Sequence, residues 1–309
     1  MTASNDRPPA ETPADALARL YDLDLRDEPG DLEMWAALAS QAGGPILDLM
    51  AGSGRLAVPL AAEGYEVTAV DVDAAMLARA RRRAADAGPD VELRLELVLD
   101  DVVGLELPAA RRPVVGERGP DRDSTTADPG QAGGADDVER SEGGGPRRFG
   151  LAFIALNSIL LLPSREAQRA AWRALAAHLA PGGIAAVDAW LPDAHDLARY
   201  DGRLHLEYHR ADPETGRWVT KTAAAQHDAA TQTVALTTIY EEGDPGQPAG
   251  RWVRRDVVRL VTADELRAMA EAAGLRVELV AGGYDLEPLG PHDDRAIVIA
   301  RLPGTGGRE

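Results

Sequence analysis

Apolar positions recur at helical spacing from Asp15 onward, at Leu17, Leu20 and Leu23, and again after the N-cap type residue Asp31, at Met34, Trp35 and Leu38. The chain is therefore predicted to open with two helices. A short apolar run follows, Pro45-Ile46-Leu47-Asp48-Leu49, ending in Met50-Ala51-Gly52-Ser53-Gly54, the pattern of a buried strand that feeds a glycine turn. Arg55 to Glu63 reads as a helix slightly bent by Pro59, and Gly64 ends it. Glu66 to Val70 predicts a second strand that stops at Asp71-Val72-Asp73. Residues 74–87 read as an alanine- and arginine-rich helix closed by Gly88-Pro89, and residues 91–99 alternate strictly, as a third strand does. A fourth strand over 149–156, a helix over Glu166–Leu179, a turn at Ala180-Pro181-Gly182-Gly183 and a fifth strand over Ile184–Ala189 continue the rhythm. Strands alternating with helices in this way predict a doubly wound parallel α/β sheet.

Two segments break the rhythm. Residues 203–260 carry alternating β-rich runs at Leu204–His209, Trp218–Thr222, Val234–Tyr240 and Trp252–Leu260, an antiparallel meander inserted into the α/β body. The 40 residues from Ala109 to Arg148 hold 8 glycines, 4 prolines and no aromatic residue, a composition that cannot bury enough surface to offset chain entropy. The Thr262-Ala263-Asp264-Glu265 capping box then opens a helix to Ala273, and strands near Leu275–Val280 and Ala296–Leu302 close the chain. The expected division is a disordered N-terminus over 1–14, a core over 15–198 and 261–303 interrupted by a disordered insertion at 109–148, an inserted sheet over 199–260, and a tail over 304–309.

Composition narrows the chemistry. With 51 acidic and 33 basic residues the net charge is −18, a field that repels phosphate backbones and argues against a nucleic-acid partner. The absence of cysteine excludes disulfides, thiolate metal sites and a cysteine nucleophile. No His/Asp/Glu set has ligand spacing, so no metal is expected. The N-terminus has no apolar signal region, and the longest apolar stretch, Leu151–Leu162, is shorter than the ~20 residues of a membrane helix. The expectation is a cytoplasmic protein that binds no membrane. Lys221 is the one lysine, and the sequence alone assigns it no chemistry.

Glycines between a strand and a helix let a ligand approach backbone N–H groups without a Cβ in the way. Asp71, 17 residues beyond Gly54, is placed to bond a ribose diol, and Asp100-Asp101 at the end of the third strand suit an adenine amino group. The loop also satisfies a dinucleotide fingerprint through Gly52, Gly54 and Ala57, so a nicotinamide oxidoreductase is the first alternative. Against it stand Asp48, where such folds carry an apolar residue, and the lack of an evident site for hydride transfer.

The run Ile46–Arg55, then Val67–Asp73 with Met76-Leu77, Leu99-Asp100-Asp101, Asn157-Ser158 and His178–Gly183 resembles the class I S-adenosylmethionine-dependent methyltransferases. The likeness covers most of residues 17–303. It implies a seven-stranded Rossmann-like sheet with an inserted antiparallel sheet, and S-adenosyl-L-methionine as cofactor. Met50 departs from the family, which has a glycine there. By the resemblance the cofactor would meet Tyr21 of a Tyr-Asp pair, Asp48, Ala51, Gly52, Ser53, Gly54, Arg55, Asp71, Val72, Met76, Asp101, Val102 and Asn157. Gly52 and Gly54 would border its methionyl part.

Leu156-Asn157-Ser158-Ile159 replaces the Asn/Asp-Pro-Pro-Tyr/Phe motif of enzymes that methylate base amines or glutamine amides. The inserted sheet is similar to the cover of small-molecule N-methyltransferases, nearest to those of amino sugars and antibiotic precursors. This implies a small-molecule acceptor of the methyl group at nitrogen or oxygen, and a homodimer through the inserted sheet. Substrate candidates are Tyr21, Asn157, Trp190 and Tyr284, with His195, His205 and His209 as further pocket candidates; no catalytic base is named. His205 and His209, four apart on a strand, would share one face. A second alternative is a non-catalytic S-adenosylmethionine-binding partner protein.

Overall fold

A computed structural model describes residues 11–26, 29–107, 147–244 and 250–304. The body comprises residues 1–106 and 148–309; residues 107–147 form a separate unit, of which only the two ends are described. The predicted insertion at 109–148 thus lies almost entirely outside the described residues, as do residues 1–10 of the N-terminal segment.

Helices α1 (Pro13–Asp24) and α2 (Leu32–Ala42) precede the first strand, β1 (Ile46–Leu49). α1 begins before Asp15 because the Thr12 hydroxyl accepts from the Asp15 backbone N–H and Pro13 occupies the first turn. The order continues α3 (Ala57–Ala62), β2 (Val67–Asp71), α4 (Ala74–Ala87), α5 (Pro89–Arg94), β3 (Leu95–Leu99), β4 (Phe149–Ile154), a 3-10 turn (Ser158–Leu161), α6 (Arg165–His178) and β5 (Leu179–Trp190). After α7 (Ala194–Arg199) come β6 (Asp201–Ala211), β7 (Trp218–Asp228), β8 (Thr233–Gly243) and β9 (Gly250–Arg259), then α8 (Ala263–Ala272), β10 (Arg276–Ala281) and β11 (Arg295–Arg301).

Seven strands form one sheet in the order β10-β11-β5-β4-β1-β2-β3, parallel except for β11, which runs antiparallel to both its neighbours. This is the doubly wound Rossmann-like fold expected from the sequence. Successive strands leave β1 on opposite sides, toward β2 and toward β4, so a crevice opens above their carboxyl ends. Trp35 of α2 and Phe153 of β4, both fully buried, stack at 4.4 Å beneath it. Burial of each such side chain contributes ~1.5–3 kcal/mol.

Three local readings change. Strict alternation over 91–99 is strand only from Leu95, because Gly88 and Pro89 start a helical turn in which the Val91 and Glu92 N–H groups donate to the Gly88 carbonyl. The Ala180–Gly183 turn is absorbed into β5 as an outward bulge, where pairing jumps from Phe149↔Leu179 to Leu151↔Ile184. Asp31 does not cap α2; its carboxylate is engaged by Trp35 and Arg55 instead. The Thr262–Glu265 capping box forms reciprocally.

Strands β6-β7-β8-β9 make the second, antiparallel sheet. One face buries Val219 and Tyr240 against Leu20 and Leu23 of α1. A register shift between Leu206 and Tyr208 pairs His205 with Ala223 but His209 with Thr220. The bulge therefore puts the two histidines on opposite faces, against the expectation that they share one.

Ion pairs lash α1 into place. Arg19, 4% exposed, donates to Asp212 in the β6–β7 turn, to Glu242 of β8 at 2.9 Å and to Glu11. Asp22 takes Ser53, Arg79 and Arg83. Asp24 accepts from Tyr208 at 2.6 Å, Tyr240 at 2.7 Å and Lys221 at 2.8 Å. Burial and the Asp24 charge push both phenols above their ordinary range. Lys221, left without chemistry by the sequence, is a structural cation that also pairs with Glu207 at 2.9 Å.

Candidate active site

The carboxyl ends of β1, β2 and β3 supply one wall of a crevice of about 610 Å³, and α1, the 158–163 segment and β9 supply the other. Tyr21, Gly52, Asp71, Val72, Met76, Asp101 and Val102 all line it. A second cavity, of about 20 Å³, opens beside it and is lined by Asp48, Ala51, Ser53 and Arg55. Tyr21, Met50 and Ser158 border both and so form a shared rim.

The glycine loop explains itself residue by residue. Met50 has φ +60°, a left-handed conformation in the position where the family carries glycine. Gly52, with φ +58°, faces the crevice; a Cβ there would meet only Tyr21 Cε1 at 3.9 Å. Its N–H donates to Asp71 Oδ2 at 2.7 Å, while Asp71 Oδ1 takes the Asp73 N–H at 2.8 Å. The Val72 N–H also bonds this carboxylate, and its remaining acceptor capacity faces the crevice. Burial raises the Asp71 pKa, and those backbone N–H groups oppose the shift. Gly54 does not border the crevice. At φ +75° its missing Cβ would lie 3.0 Å from Ala80 Cβ, so this glycine lets α4 pack closely against the loop.

Val72 is 72% exposed and Met76 is buried, so the two present an apolar lip and floor next to Asp71. Asp100 accepts from the Asp101 N–H, and Asp101 from the Val103 N–H, each at 2.8 Å, which fixes both carboxylates at the far end of the crevice. Arg55 is no free surface arginine. Asp31 grips it at 2.6 and 2.8 Å and also accepts from Trp35 Nε1 at 3.0 Å.

Three more of the expected residues line neither cavity. Asn157, with φ +64°, turns its Oδ1 to accept the Trp190 N–H, tying the end of β4 to the end of β5. Trp190 packs its ring against Tyr200, centroids 6.2 Å apart. Tyr284 lies over the Arg295 guanidinium at 4.6 Å and donates to Asp188 at 3.3 Å. Asp188, fully buried, also takes Arg295 at 2.6 Å and the Leu156 N–H at 3.1 Å. Together these groups brace the left-handed Leu156-Asn157 turn that aims Ser158 at the rim. His195, His205 and His209 are exposed, and His209 stacks on Trp218 at 4.8 Å.

Sequence reasoning missed Leu17, Ala18 and Ser158, the Leu161-Leu162-Pro163 wall, and Arg254 to Val257 of β9. Ser158 carried a signal, standing at the end of a strand on the ligand side. The β9 residues carried none, since only the folded sheet brings residue 254 near residue 17. Among the described residues no group of three or more His, Asp or Glu could hold a metal, and no helix is long and apolar enough to cross a membrane.

A family model described as "Methyltransferase domain" matches residues 46–115. The chain is similar to the CcbJ methyltransferase of Streptomyces caelestis, with a TM-score of 0.67 and 23% identity over 91% of this chain and 96% of that one. It is 37% identical over 79 residues to an rRNA adenine N-6-methyltransferase of Corynebacterium diphtheriae, covering 26% of this chain and 29% of that protein. It is 28% identical over 138 residues to a dTDP-3-amino-3,4,6-trideoxy-alpha-D-glucopyranose N,N-dimethyltransferase of Streptomyces venezuelae, 44% of this chain and 54% of that one. The matched stretches thus span only 29% and 54% of the length of those curated relatives. The fold is that of the class I S-adenosylmethionine-dependent methyltransferases, and the methyltransferase-domain match begins at β1 and takes in the glycine loop, Asp71 and Asp100-Asp101.

Proposed function

We propose that this protein transfers a methyl group from S-adenosyl-L-methionine to a nitrogen or oxygen of a small molecule, an amine of a sugar or antibiotic precursor being the favoured acceptor. The observation that carries this reading is the crevice itself. Asp71 presents a carboxylate at the end of β2, suited to a ribose diol, between the open Gly52 backbone and the apolar Val72–Met76 pair. Asp101 and the Val102 backbone suit an adenine edge, and the rim beside Gly52 suits the amino-acid end of the cofactor.

When bound, the cofactor supplies an electrophilic methyl group on a sulfonium. The chain's own residues orient, enclose and exclude water. The rim carries Tyr21, Met50 and Ser158 and, among the described residues, no carboxylate, histidine or lysine. An acceptor that enters as the free base needs none, because orientation alone can supply ~7–11 kcal/mol of the barrier. The Tyr21 and Ser158 hydroxyls are placed to orient it, and Leu161, Leu162 and Val257 keep water out. The relative that acts on an amino sugar supports this acceptor class, and the net charge of −18 weighs against a polynucleotide. The exposed face of the second sheet, with Leu204, Leu206, Trp218 and Val253, supports a homodimer through that sheet.

Tryptophan-quenching titrations with S-adenosylmethionine, S-adenosylhomocysteine and NAD test the cofactor. Saturable NAD binding without binding of the adenosyl sulfur compounds refutes the reading. Mass spectrometry of a panel of amines and alcohols incubated with the protein then tests the acceptor, with a gain of one methyl group as the expected product.

A further inference from the structure

The two walls of the large crevice carry opposite charge. Asp71, Asp73, Asp100 and Asp101 stand at the ends of β2 and β3, whereas β9 presents Arg254, Arg255 and Asp256. β9 pairs only with β8, so it is an edge strand of the second sheet. Trp252, on the same face of β9 as Arg254 and Asp256, packs against the Leu20–Tyr240 cluster, so this face turns toward α1. The Arg254 charge acts on the Tyr21 phenol at the rim. Its side chain is 30% exposed, and its Nε donates to Asp256 Oδ2 at 2.7 Å. Both Nη groups are without an acceptor among the described residues, which leaves the Nη1–Nη2 edge for two oxygens of one anion. Arg255, exposed on the other face of the strand, borders the same crevice and makes no ion pair with any described residue. The acidic wall already suits the nucleoside of the cofactor, whose hydroxyl and amino groups need acceptors. The cofactor's own carboxylate belongs to the rim beside Gly52, so the basic wall is left to the acceptor.

We propose that the methyl acceptor carries a carboxylate, gripped by the Nη edge of Arg254 while the reacting group lies at the Tyr21–Ser158 rim, with Arg255 supplying a second positive charge at the crevice edge. This rests on the cofactor reading above and adds to it the charge class of the acceptor. Charge counting selects a monoanion. Two arginines and one aspartate leave the β9 wall with a net +1, which a single carboxylate neutralises. A phosphate monoester brings about two negative charges at neutral pH, and the excess faces the four aspartates across the crevice. A neutral sugar amine leaves the guanidinium edge to water and gains nothing from it. The planar carboxylate also matches the planar guanidinium, two oxygens to two N–H groups.

The test is titration of the protein saturated with S-adenosylhomocysteine, followed by nuclear magnetic resonance. The probes are 2-amino-2-deoxy-D-glucuronate, glucosamine, glucosamine 6-phosphate and dTDP. The aminoglucuronate should bind tighter than each of the others by roughly tenfold or more, the scale of one charged hydrogen bond, and Arg254→Met should reduce it to the level of glucosamine. Asp256→Asn raises the wall by one positive charge and should move the preference toward glucosamine 6-phosphate, a gain that misfolding cannot imitate. The proposal is overturned by a parent that does not prefer the aminoglucuronate, by a preference that survives in Arg254→Met, or by an unchanged ranking in Asp256→Asn. Calorimetry of S-adenosylhomocysteine and 5′-methylthioadenosine, which lacks the amino-acid tail, separates this inference from the reading beneath it. Affinity lost in Arg254→Met for S-adenosylhomocysteine alone places the cofactor's carboxylate on Arg254 and overturns the proposal while leaving the cofactor reading intact. Failure of both ligands to bind the parent overturns the cofactor reading, and this inference with it.

Discussion

Replacing Asp71 by alanine removes a carboxylate that performs two jobs at once. It accepts from the Gly52 N–H at 2.7 Å and the Asp73 N–H at 2.8 Å, and it presents its remaining acceptor sites to the crevice. A hydrogen bond to a charged group is worth ~1.5–3 kcal/mol, and both ribose hydroxyls can be rehydrated once the acid is gone because the site is partly open to solvent. The loss should therefore stay on the scale of one such bond, a ~10–150-fold rise in Kd for S-adenosylhomocysteine measured by calorimetry. Folding should suffer less. The freed N–H groups lie at the crevice surface where water can reach them, and burial had already disfavoured the charge on Asp71. Melting followed by fluorescence separates the two effects. An unchanged Kd in a variant that melts like the parent would show that the diol does not bind at Asp71, and the whole register of the cofactor along the crevice would fall with it.

Arg19→Met leaves Asp212 and Glu242, each 2% exposed, without their cation. Breaking a buried pair in this way costs ~3–5 kcal/mol, a Tm drop of roughly 6–20 °C for a body of this size, and adding Asp212→Asn with Glu242→Gln should recover much of it. Gly54→Ala and Gly52→Ala both place a side chain at positive φ, but only the former collides with Ala80. Gly54→Ala should lose ~2–4 kcal/mol by denaturant titration with cofactor affinity retained, and Gly52→Ala less stability but more affinity; the reverse order would exchange their roles. For Asp48 the folded pKa is raised, so the folded chain holds its proton longer than the unfolded chain does. Stability is lost as pH rises from about 4 through the folded pKa, and Asp48→Asn should exceed the parent in urea melts at neutral pH, with the gap closing below about pH 4. A gap that is constant with pH would mean that folding does not shift the titration of Asp48.

The parts of the site that were legible in the sequence are those where one residue's neighbours in the chain are also its neighbours in space. Asp71 and Asp101 each end an apolar strand, and strand ends on one side of a parallel sheet converge whatever the loops do. Gly54 was misread because a glycine needed for ligand approach and one needed for helix packing look alike until Ala80 is placed beside it. Asn157 looked like a pocket residue for the same reason; its left-handed backbone points the amide at Trp190 instead. The alternation at 91–99 hid a helical turn because Gly88-Pro89 both ends one helix and starts another. The β9 wall and the Asp24 cluster depend on contacts between residues about 200 positions apart, such as Asp24 with Lys221, and no local pattern encodes those.

The lashing of α1 has a consequence for any attempt to exchange the second sheet. The second sheet looks like a module that could be exchanged between relatives by cutting near residues 200 and 260. Yet its hairpin turn is anchored through Asp212 on Arg19 and through Glu214 on Arg79, and its strands through Tyr208, Tyr240 and Lys221 on Asp24. A transplant of the sheet alone would strand these charges in a foreign interface. The transferable cassette is the sheet together with α1 and the Arg79 position of α4, three pieces distant in sequence that recombination would have to move as one.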